Sequence, residues 1–157
     1  MSSRSLLAVL GFALSSGVAF AQAPSYGGDV TIAQAKQIAA SAIAHAQKNK
    51  WNMAVAIVDR HGYLVYFEKM DDTQTGSIQV ALDKAKAAGM FRRPTRAFEE
   101  GVAKGRVALL GLTGATPITG GVPIVVGGKI LGGVGVSGAT GDQDEETAIA
   151  GTKSLAM

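Results

Sequence analysis

The residues best suited to chemistry lie in one short stretch, where two arginines follow a phenylalanine and precede a proline and a hydroxyl. Phe91, Arg92, Arg93, Pro94 and Thr95 follow one another between two segments of helical pattern. Guanidinium groups bind carboxylates or phosphates through paired hydrogen bonds, and a helix N-terminus favours an anion. The stretch therefore predicts either a site for an apolar molecule that carries carboxylates or a plain surface connection between helices.

Two histidines and an acidic run are the candidates for binding a metal ion. Neutral imidazole binds haem iron well, so His45 is a candidate, although its place at the edge of an apolar helical stripe favours a packing role. Asp144 and Glu145, within the acidic run 142–146, could bind a hard cation or ferric iron. Acids in the first turn of a helix also balance its dipole, which is the simpler explanation. His61 is interpreted as a solvated turn residue.

Other features of the sequence exclude whole classes of chemistry. The chain has no cysteine, which excludes disulfides, thiolate metal sites and cysteine nucleophiles. Gly133–Gly138 matches G-x-G-x-x-G, but it lies within a hairpin strand and does not open a helix after a parallel strand. We interpret these glycines as allowing another backbone or a flat ligand to approach the sheet. The net charge of +3 is too small to imply nucleic-acid binding.

The N-terminal residues are typical of an export signal. Arg4 supplies a positive charge, Leu6–Phe20 is almost wholly apolar, and Ala19-Phe20-Ala21 is a small-x-small cleavage site. The apolar run is short for a membrane span, which needs about 20 residues. We therefore predict a signal peptide over residues 1–21, a flexible mature N-terminus over 22–30, and a periplasmic or secreted protein without a membrane span.

Hydrophobic periodicity predicts the order helix, hairpin, two helices, hairpin, helix. The predicted elements are a helix from Thr31 to Lys50, strands Met53–Val58 and Tyr63–Met70, a helix from Ser77 to Ala88 stopped by Gly89, a short helix capped by Thr95, an irregular stretch Gly101–Thr119, a strand ending at Val126, a strand Lys129–Val136 and a helix Asp142–Ala156. Hairpins pair antiparallel, so the pattern predicts a single α+β domain over residues 31–157 with a central antiparallel sheet.

This ordered set of segments resembles the GlcG/HbpS haem-binding family. The segments that carry the resemblance are Met53–Asp71, Lys84–Phe91, Pro94-Thr95, Gly120–Ile124, Gly132–Gly138 and Gln143–Glu145. The similarity runs from about Thr31 to the C-terminus. It implies a five-stranded antiparallel sheet flanked by helices, assembly into homo-oligomers and haem binding, with haem degradation and iron binding attributed to some members.

The resemblance and the arginine stretch together predict an exported, oligomeric haem-binding protein. Its pocket would lie between the 90–95 link, the 111–121 loop and the end of the first hairpin. The predicted ligand-binding residues are Phe67, Asp71, Lys84, Phe91, Arg92, Arg93, Thr95, Thr116, Gly120 and Gly121. The loop carries threonines and no histidine, so we expect binding to depend on apolar enclosure and on arginines that pair with propionates. Haem breakdown would then be oxidation at weakly held iron.

Two other functions remain open at this point. An enzyme acting on a small organic acid would bind the carboxylate with Lys84 and Arg92, and Asp71 or Lys84 would move protons. An accessory module for ferric iron or another protein would instead use the acidic run 142–146.

Overall fold

The computed structural model describes residues 23–155, so the predicted signal peptide lies outside the described residues. Within this range the helices are α1 (Ile32–Asn49), α2 (Ser77–Phe91), α3 (Arg96–Ala103), a 3₁₀ turn (Val107–Gly111) and α4 (Gly141–Lys153). The strands are β1 (Ala54–Asp59), β2 (Leu64–Lys69), β3 (Gly121–Val126) and β4 (Lys129–Ser137). None of the described helices combines the length and the apolar character needed to cross a bilayer.

The helices α1 and α4, which pack together, each begin at a threonine that caps the helix N-terminus. Thr31 and Thr140 each accept a hydrogen bond from the backbone N–H three residues later. The side-chain oxygens of Gln34 and Gln143 accept from the N–H of the two threonines in return. This capping box satisfies donors that a helix N-terminus otherwise leaves without a partner. Thr31 is thus confirmed as the start of the first helix.

The strands form one antiparallel sheet in the order β2-β1-β4-β3. Both hairpins were predicted from the sequence, and Gly127-Gly128 is confirmed as the connection of the second. The hairpins join through β1 and β4, which lie side by side in the middle of the sheet. The α+β class with a central antiparallel sheet is therefore confirmed.

The two faces of the sheet carry side chains of different size. Val55, Ile57, Val134 and Val136 belong to the large core cluster that includes the apolar residues of α1 and Ala148 of α4. On the other face, Ala54, Ala56 and Val58 of β1 pack against Ala81 and Ala85 of α2. The domain therefore has three layers: the α1/α4 pair, the sheet, and α2.

The small-residue face lets α2 lie unusually close to the sheet. A Cβ added at Gly135 would come within 2.1 Å of the Ala81 carbonyl oxygen, and one at Gly133 within 2.2 Å of the Ala85 carbonyl oxygen. No real side chain tolerates such contacts, so these positions require glycine. Of the two interpretations of the Gly133–Gly138 motif, the structure supports close approach of a backbone, which is that of α2.

Two expectations from the sequence about the strands and helices are corrected by the structure. The prediction of five strands is wrong: the described residues form four, and Tyr26 makes only an isolated parallel bridge to Ile130. Gly89 does not stop α2, which continues to Phe91. A Cβ at Gly89 would lie 3.0 Å from the Gly133 nitrogen, so this glycine serves packing rather than helix termination.

The stretch predicted to be a flexible N-terminus is docked where the structure describes it. Gly27 N–H donates to the Ile130 carbonyl, Val30 N–H donates to Leu131, and Ser25 accepts from Ile130 N–H. We call residues 23–30 the N-terminal strap. It lies beside the first residues of β4, beyond the point where β1 ends, so it satisfies backbone groups that β1 leaves without a partner.

We predict that Gly135→Ala lowers the free energy of unfolding by about 3 kcal/mol, the upper end of the cost of overpacking a core. The added methyl would meet the backbone of α2, which cannot rotate away as a side chain could. Urea unfolding followed by circular dichroism measures the change. Gly76→Ala is the matched control, since nothing lies within 4 Å of its Cβ position and its φ is −61°. Equal stability of Gly135→Ala and the parent chain would contradict the close-approach argument.

Candidate functional site

The arginine stretch forms the bend between α2 and α3, and its two arginines point in different directions. Arg92 ends α2 in the left-handed conformation with φ 56°, and its N–H donates to the Ala88 carbonyl. A left-handed residue at a helix end turns the chain sharply, which is why glycine is usual there. Arg92 and Arg93 therefore lie against different neighbours.

Arg92 lies against the N-terminal strap. Its guanidinium stands 5.2 Å from the centre of the Tyr26 ring, and Nη1 donates to the Pro24 carbonyl at 3.2 Å. The Tyr26 hydroxyl in turn donates to the Met90 carbonyl at 2.6 Å. A cation over an aromatic face is attracted by the ring quadrupole. The strap, the end of α2 and Arg92 thus form one connected surface.

Beside this surface lies a cleft of about 410 Å³, which we call the Tyr26 cleft. It is lined by Tyr26, Arg60, His61 and Met90. Arg60 and His61 come from the turn between β1 and β2. Tyr26 and Met90 are 40% and 46% exposed, so an aromatic ring and a thioether face solvent here. The volume lies within the roughly 300–1,000 Å³ typical of small-molecule sites. The four side chains together offer apolar surface, a cation and an imidazole.

Phe91 and Arg93 lie on the other side of the bend. Phe91 contacts Phe98 edge to face with ring centres 5.3 Å apart, and Arg93 lies 5.8 Å from the centre of the same Phe98 ring. Thr116 is half-buried in the loop whose Gly114 comes close to Phe91. Phe91 and Arg93 therefore gather around Phe98, apart from the Tyr26 cleft.

Four other predicted ligand-binding residues are buried in the interior beneath the bend. Thr95 accepts a hydrogen bond from Gly121 N–H at 2.9 Å and does not cap α3, which corrects the capping prediction. A Cβ at Gly121 would lie 2.4 Å from the Lys84 carbonyl oxygen, and one at Gly120 would lie 2.7 Å from Lys84 Nζ. The two glycines do permit a close approach, but it is made by the protein's own α2.

Lys84 is 1% exposed and forms a buried ion pair. Its Nζ donates to Asp144 Oδ2 at 2.7 Å and to the Val136 carbonyl at 3.0 Å, while Asp144 Oδ1 accepts from Ala139 N–H. Burial raises the pKa of the Asp144 carboxyl, against the opposing effect of the Lys84 ammonium. Because both charges are satisfied inside the protein, Lys84 is not available to a substrate carboxylate, which removes a central residue of the organic-acid enzyme.

The acids of the run 142–146 each have a cationic or histidine partner. Arg96 donates to Asp142 at 2.6 Å and to Glu145 at 2.7 Å, which raises the pKa of its guanidinium. Glu146 lies 3.2 Å from His45 Nε2. Among the described residues no group of three or more histidines and carboxylates is placed to hold a metal ion. The candidates His45, Asp144 and Glu145 therefore do not form one centre.

Phe67 and Asp71 lie away from the bend. Phe67 packs against the small-residue cluster of β1 and α2. Asp71 is exposed and lines a polar cleft with Asn52, Glu68 and Asp72 at the far end of the first hairpin. The pocket predicted from the sequence is thus divided among several places, and these two residues do not join the arginines.

Tyr26, Arg60 and Met90 were not predicted as site residues, and His61 was interpreted as a solvated turn residue. Adjacent Arg60 and His61 at a hairpin tip are a weak signal for an exposed polar site. Nothing in the spacing connects them with Tyr26, because that contact depends on how the strap docks. A stronger signal existed for Lys84, which falls on the same helical stripe as Ala81, Ala85 and Ala88 and so requires a buried partner.

A sheet covered by a helix pair on one face and by a single helix on the other defines a three-layer α+β domain. Residues 30–153 match the model of the family described as haem degrading protein HbpS-like. The match covers most of the chain, and the chain belongs to the HbpS-like family.

Proteins of known sequence and structure agree with this assignment. The protein GlcG of Escherichia coli K12 is 41% identical over 103 residues, which cover 66% of this chain and 77% of GlcG. The crystal structure of HbpS is similar with a TM-score of 0.76 and 30% identity, covering 83% of this chain and 93% of that one. A Klebsiella pneumoniae protein, ORFY, has a TM-score of 0.77 at 26% identity and covers 84% and 94% of the two chains.

We predict that Lys84→Met and Asp144→Asn each lower the free energy of unfolding by about 3–5 kcal/mol, because each leaves one buried charge without its partner. The double variant should recover most of that loss, since it buries no charge. Urea unfolding of the four chains measures the coupling.

Asp142→Asn is the control for this cycle, because it changes an 83% exposed carboxylate on the same helix. An exposed ion pair contributes less than about 1 kcal/mol, so we expect little change. If the two single variants lower the free energy of unfolding by amounts that simply add in the double variant, the buried-pair interpretation is contradicted.

Proposed function

We propose that this chain is an exported haem-binding protein and that it binds haem in the Tyr26 cleft. Membership of a family described as haem degrading supports the ligand. The leader pattern of residues 1–21 supports export to the periplasm or beyond the cell. The cleft is the observation that carries the site, because it places an aromatic ring, a thioether, an imidazole and guanidinium groups next to one another.

The side chains of the cleft fit the chemistry of haem. Haem is a flat apolar ring with two carboxylates at one edge, and its iron is bound in proteins by histidine, methionine or tyrosine. The apolar surfaces of Tyr26 and Met90 suit the ring, and the Arg92 guanidinium beside Tyr26 suits a propionate. When bound, haem would supply the iron chemistry, while the protein's residues hold the ring and neutralise its carboxylates.

Binding and degradation are separate proposals. The residues that line the cleft supply a cation, an imidazole and apolar surface, which suit binding of the ring and its carboxylates. We therefore place the proposal at binding, with haem breakdown and iron handling as consequences of iron chemistry rather than of a catalytic pair.

We predict that purified mature protein titrated with hemin shows a saturating Soret shift at one haem per chain. Arg92→Gln should weaken binding about tenfold to a hundredfold, since a charge-assisted hydrogen bond contributes about 1.5–3 kcal/mol. Arg93→Gln is the matched control, because its guanidinium lies over Phe98 on the other side of the bend. Absence of a Soret shift in the parent chain would remove haem from the proposal.

We also propose that the chain forms a homo-oligomer through the segment that follows α3. Val107, Leu110, Leu112 and Ile118 are 42–66% exposed on this one short segment. Apolar side chains grouped in this way are typical of protein interfaces. A second copy of the chain is the partner that the family resemblance implies.

We predict that Leu110→Glu shifts the protein towards the monomer, measured by light scattering after size-exclusion chromatography. Burying a charge in an apolar interface costs more free energy than the apolar contacts of the interface contribute. Ile32→Glu is the control: it alters a 52% exposed apolar residue in the first turn of α1, where an acid suits the helix dipole. A monomeric parent chain would overturn the oligomer proposal.

A further inference from the structure

The two histidines of the chain lie in clefts of opposite character. His61 lines the Tyr26 cleft with Arg60, Tyr26 and Met90. His45 lines a cleft of about 430 Å³ whose charged residues are Asp142, Glu145, Glu146 and Lys153. The first cleft carries positive charge without a carboxylate in its lining, and the second carries three acids against one lysine. Arg60 also pairs with Asp29, and Arg96 pairs with two of the acids, but only the first cleft has a guanidinium in its lining, so a ligand with two carboxylates suits the cleft beside His61 better.

His45 is also held by its own neighbours. Its Nε2 lies 3.2 Å from Glu146 Oε1 and 3.2 Å from the Asn49 side-chain nitrogen, and its ring packs 5.9 Å from the centre of the Trp51 ring. To bind iron, His45 would give up these contacts within an acidic cleft. The contacts with Glu146, Asn49 and Trp51 account for the position of His45 without a ligand.

His61 is free to exchange its contact for a ligand. Its Nε2 accepts a hydrogen bond from Arg60 Nε at 3.1 Å, which leaves the proton of a neutral ring on Nδ1. Arg60 keeps other acceptors if His61 turns away, because Nε also lies 3.1 Å from Asp29 Oδ1 and Nη1 donates to the Gly27 carbonyl. Turning His61 towards the cleft therefore leaves no buried donor without a partner.

The turn that carries His61 packs directly against the other wall of the cleft. A Cβ at Gly62 would lie 2.8 Å from Met90 Sδ, so the absence of a side chain at Gly62 lets Met90 lie against the turn. Gly62 has φ 88°, a conformation that suits glycine. The imidazole and the thioether are thus brought to one place by the turn, and Tyr26 is added by the strap.

We propose that His61 supplies the imidazole that binds the iron of a haem held in the Tyr26 cleft. This inference rests on the proposed function. It differs from two expectations from the sequence, namely that haem is held without a histidine and that His61, which is exposed in its turn, is a solvated turn residue. Arg60 is the cation in the lining of the cleft, Arg92 lies over the Tyr26 ring beside it, and Tyr26 and Met90 are the apolar walls.

Hemin titration of the parent chain, His61→Ala and His45→Ala tests the assignment by absorption and electron paramagnetic resonance spectra. We expect a nitrogen-ligated spectrum in the parent chain and in His45→Ala. His61→Ala should bind hemin at least tenfold more weakly and lose that spectrum, and added imidazole should restore it. Thermal unfolding of the chains without hemin checks that each variant folds; His61→Gln serves as a second variant should His61→Ala fail to fold.

The outcomes separate the two proposals. A parent chain that binds hemin with the same affinity and spectrum as both His61 variants overturns ligation by His61 and leaves haem binding intact. Loss of the nitrogen-ligated spectrum in His45→Ala instead of His61→Ala assigns the iron to the other cleft and also overturns the inference. A parent chain that does not bind hemin overturns both proposals.

Discussion

A buried ion pair beneath the α2–α3 bend is the constraint on which the arrangement of the domain depends. The Lys84 ammonium is removed from water and must find its partners inside, because an unpaired buried charge is very costly. Asp144 of α4 and the Val136 carbonyl of β4 supply them. Three elements must therefore meet at this point. Gly120 can carry no side chain there, since a Cβ would touch both partners of the pair.

The same packing decides where the bend leaves the sheet and what surrounds it. The glycines of β4 leave room for α2 to lie close to the sheet. The helix therefore ends beside the turn of the first hairpin. Arg92 then meets the N-terminal strap, while Arg93 and Phe91 meet Phe98. The bend divides the surface into a cationic, aromatic side and an acidic side, where Arg96 pairs with Asp142 and Glu145 and His45 lies beside Glu146.

This division explains why the functional proposal differs in detail from the pocket that the sequence predicted. Arg92 was predicted as a ligand-binding residue, and the structure places it over the Tyr26 ring. Lys84, Thr95, Gly120 and Gly121 were attractive as ligand-binding residues because their types permit binding or close approach. The structure uses the same properties for internal packing, and no property of a single residue distinguishes the two uses.

The sequence by itself determined the order of the elements, the two hairpins, the capping of α1 and the class of the fold, since these depend on neighbours within a few residues along the chain. Its ordered segments also indicated the family, which the comparisons establish. Only the tertiary structure decided that Lys84 pairs with Asp144, that Tyr26 meets Arg92, and that His61 and Met90 share one cleft. These contacts join residues far apart in the chain, and they depend on how closely α2 can approach the sheet, which local patterns do not record.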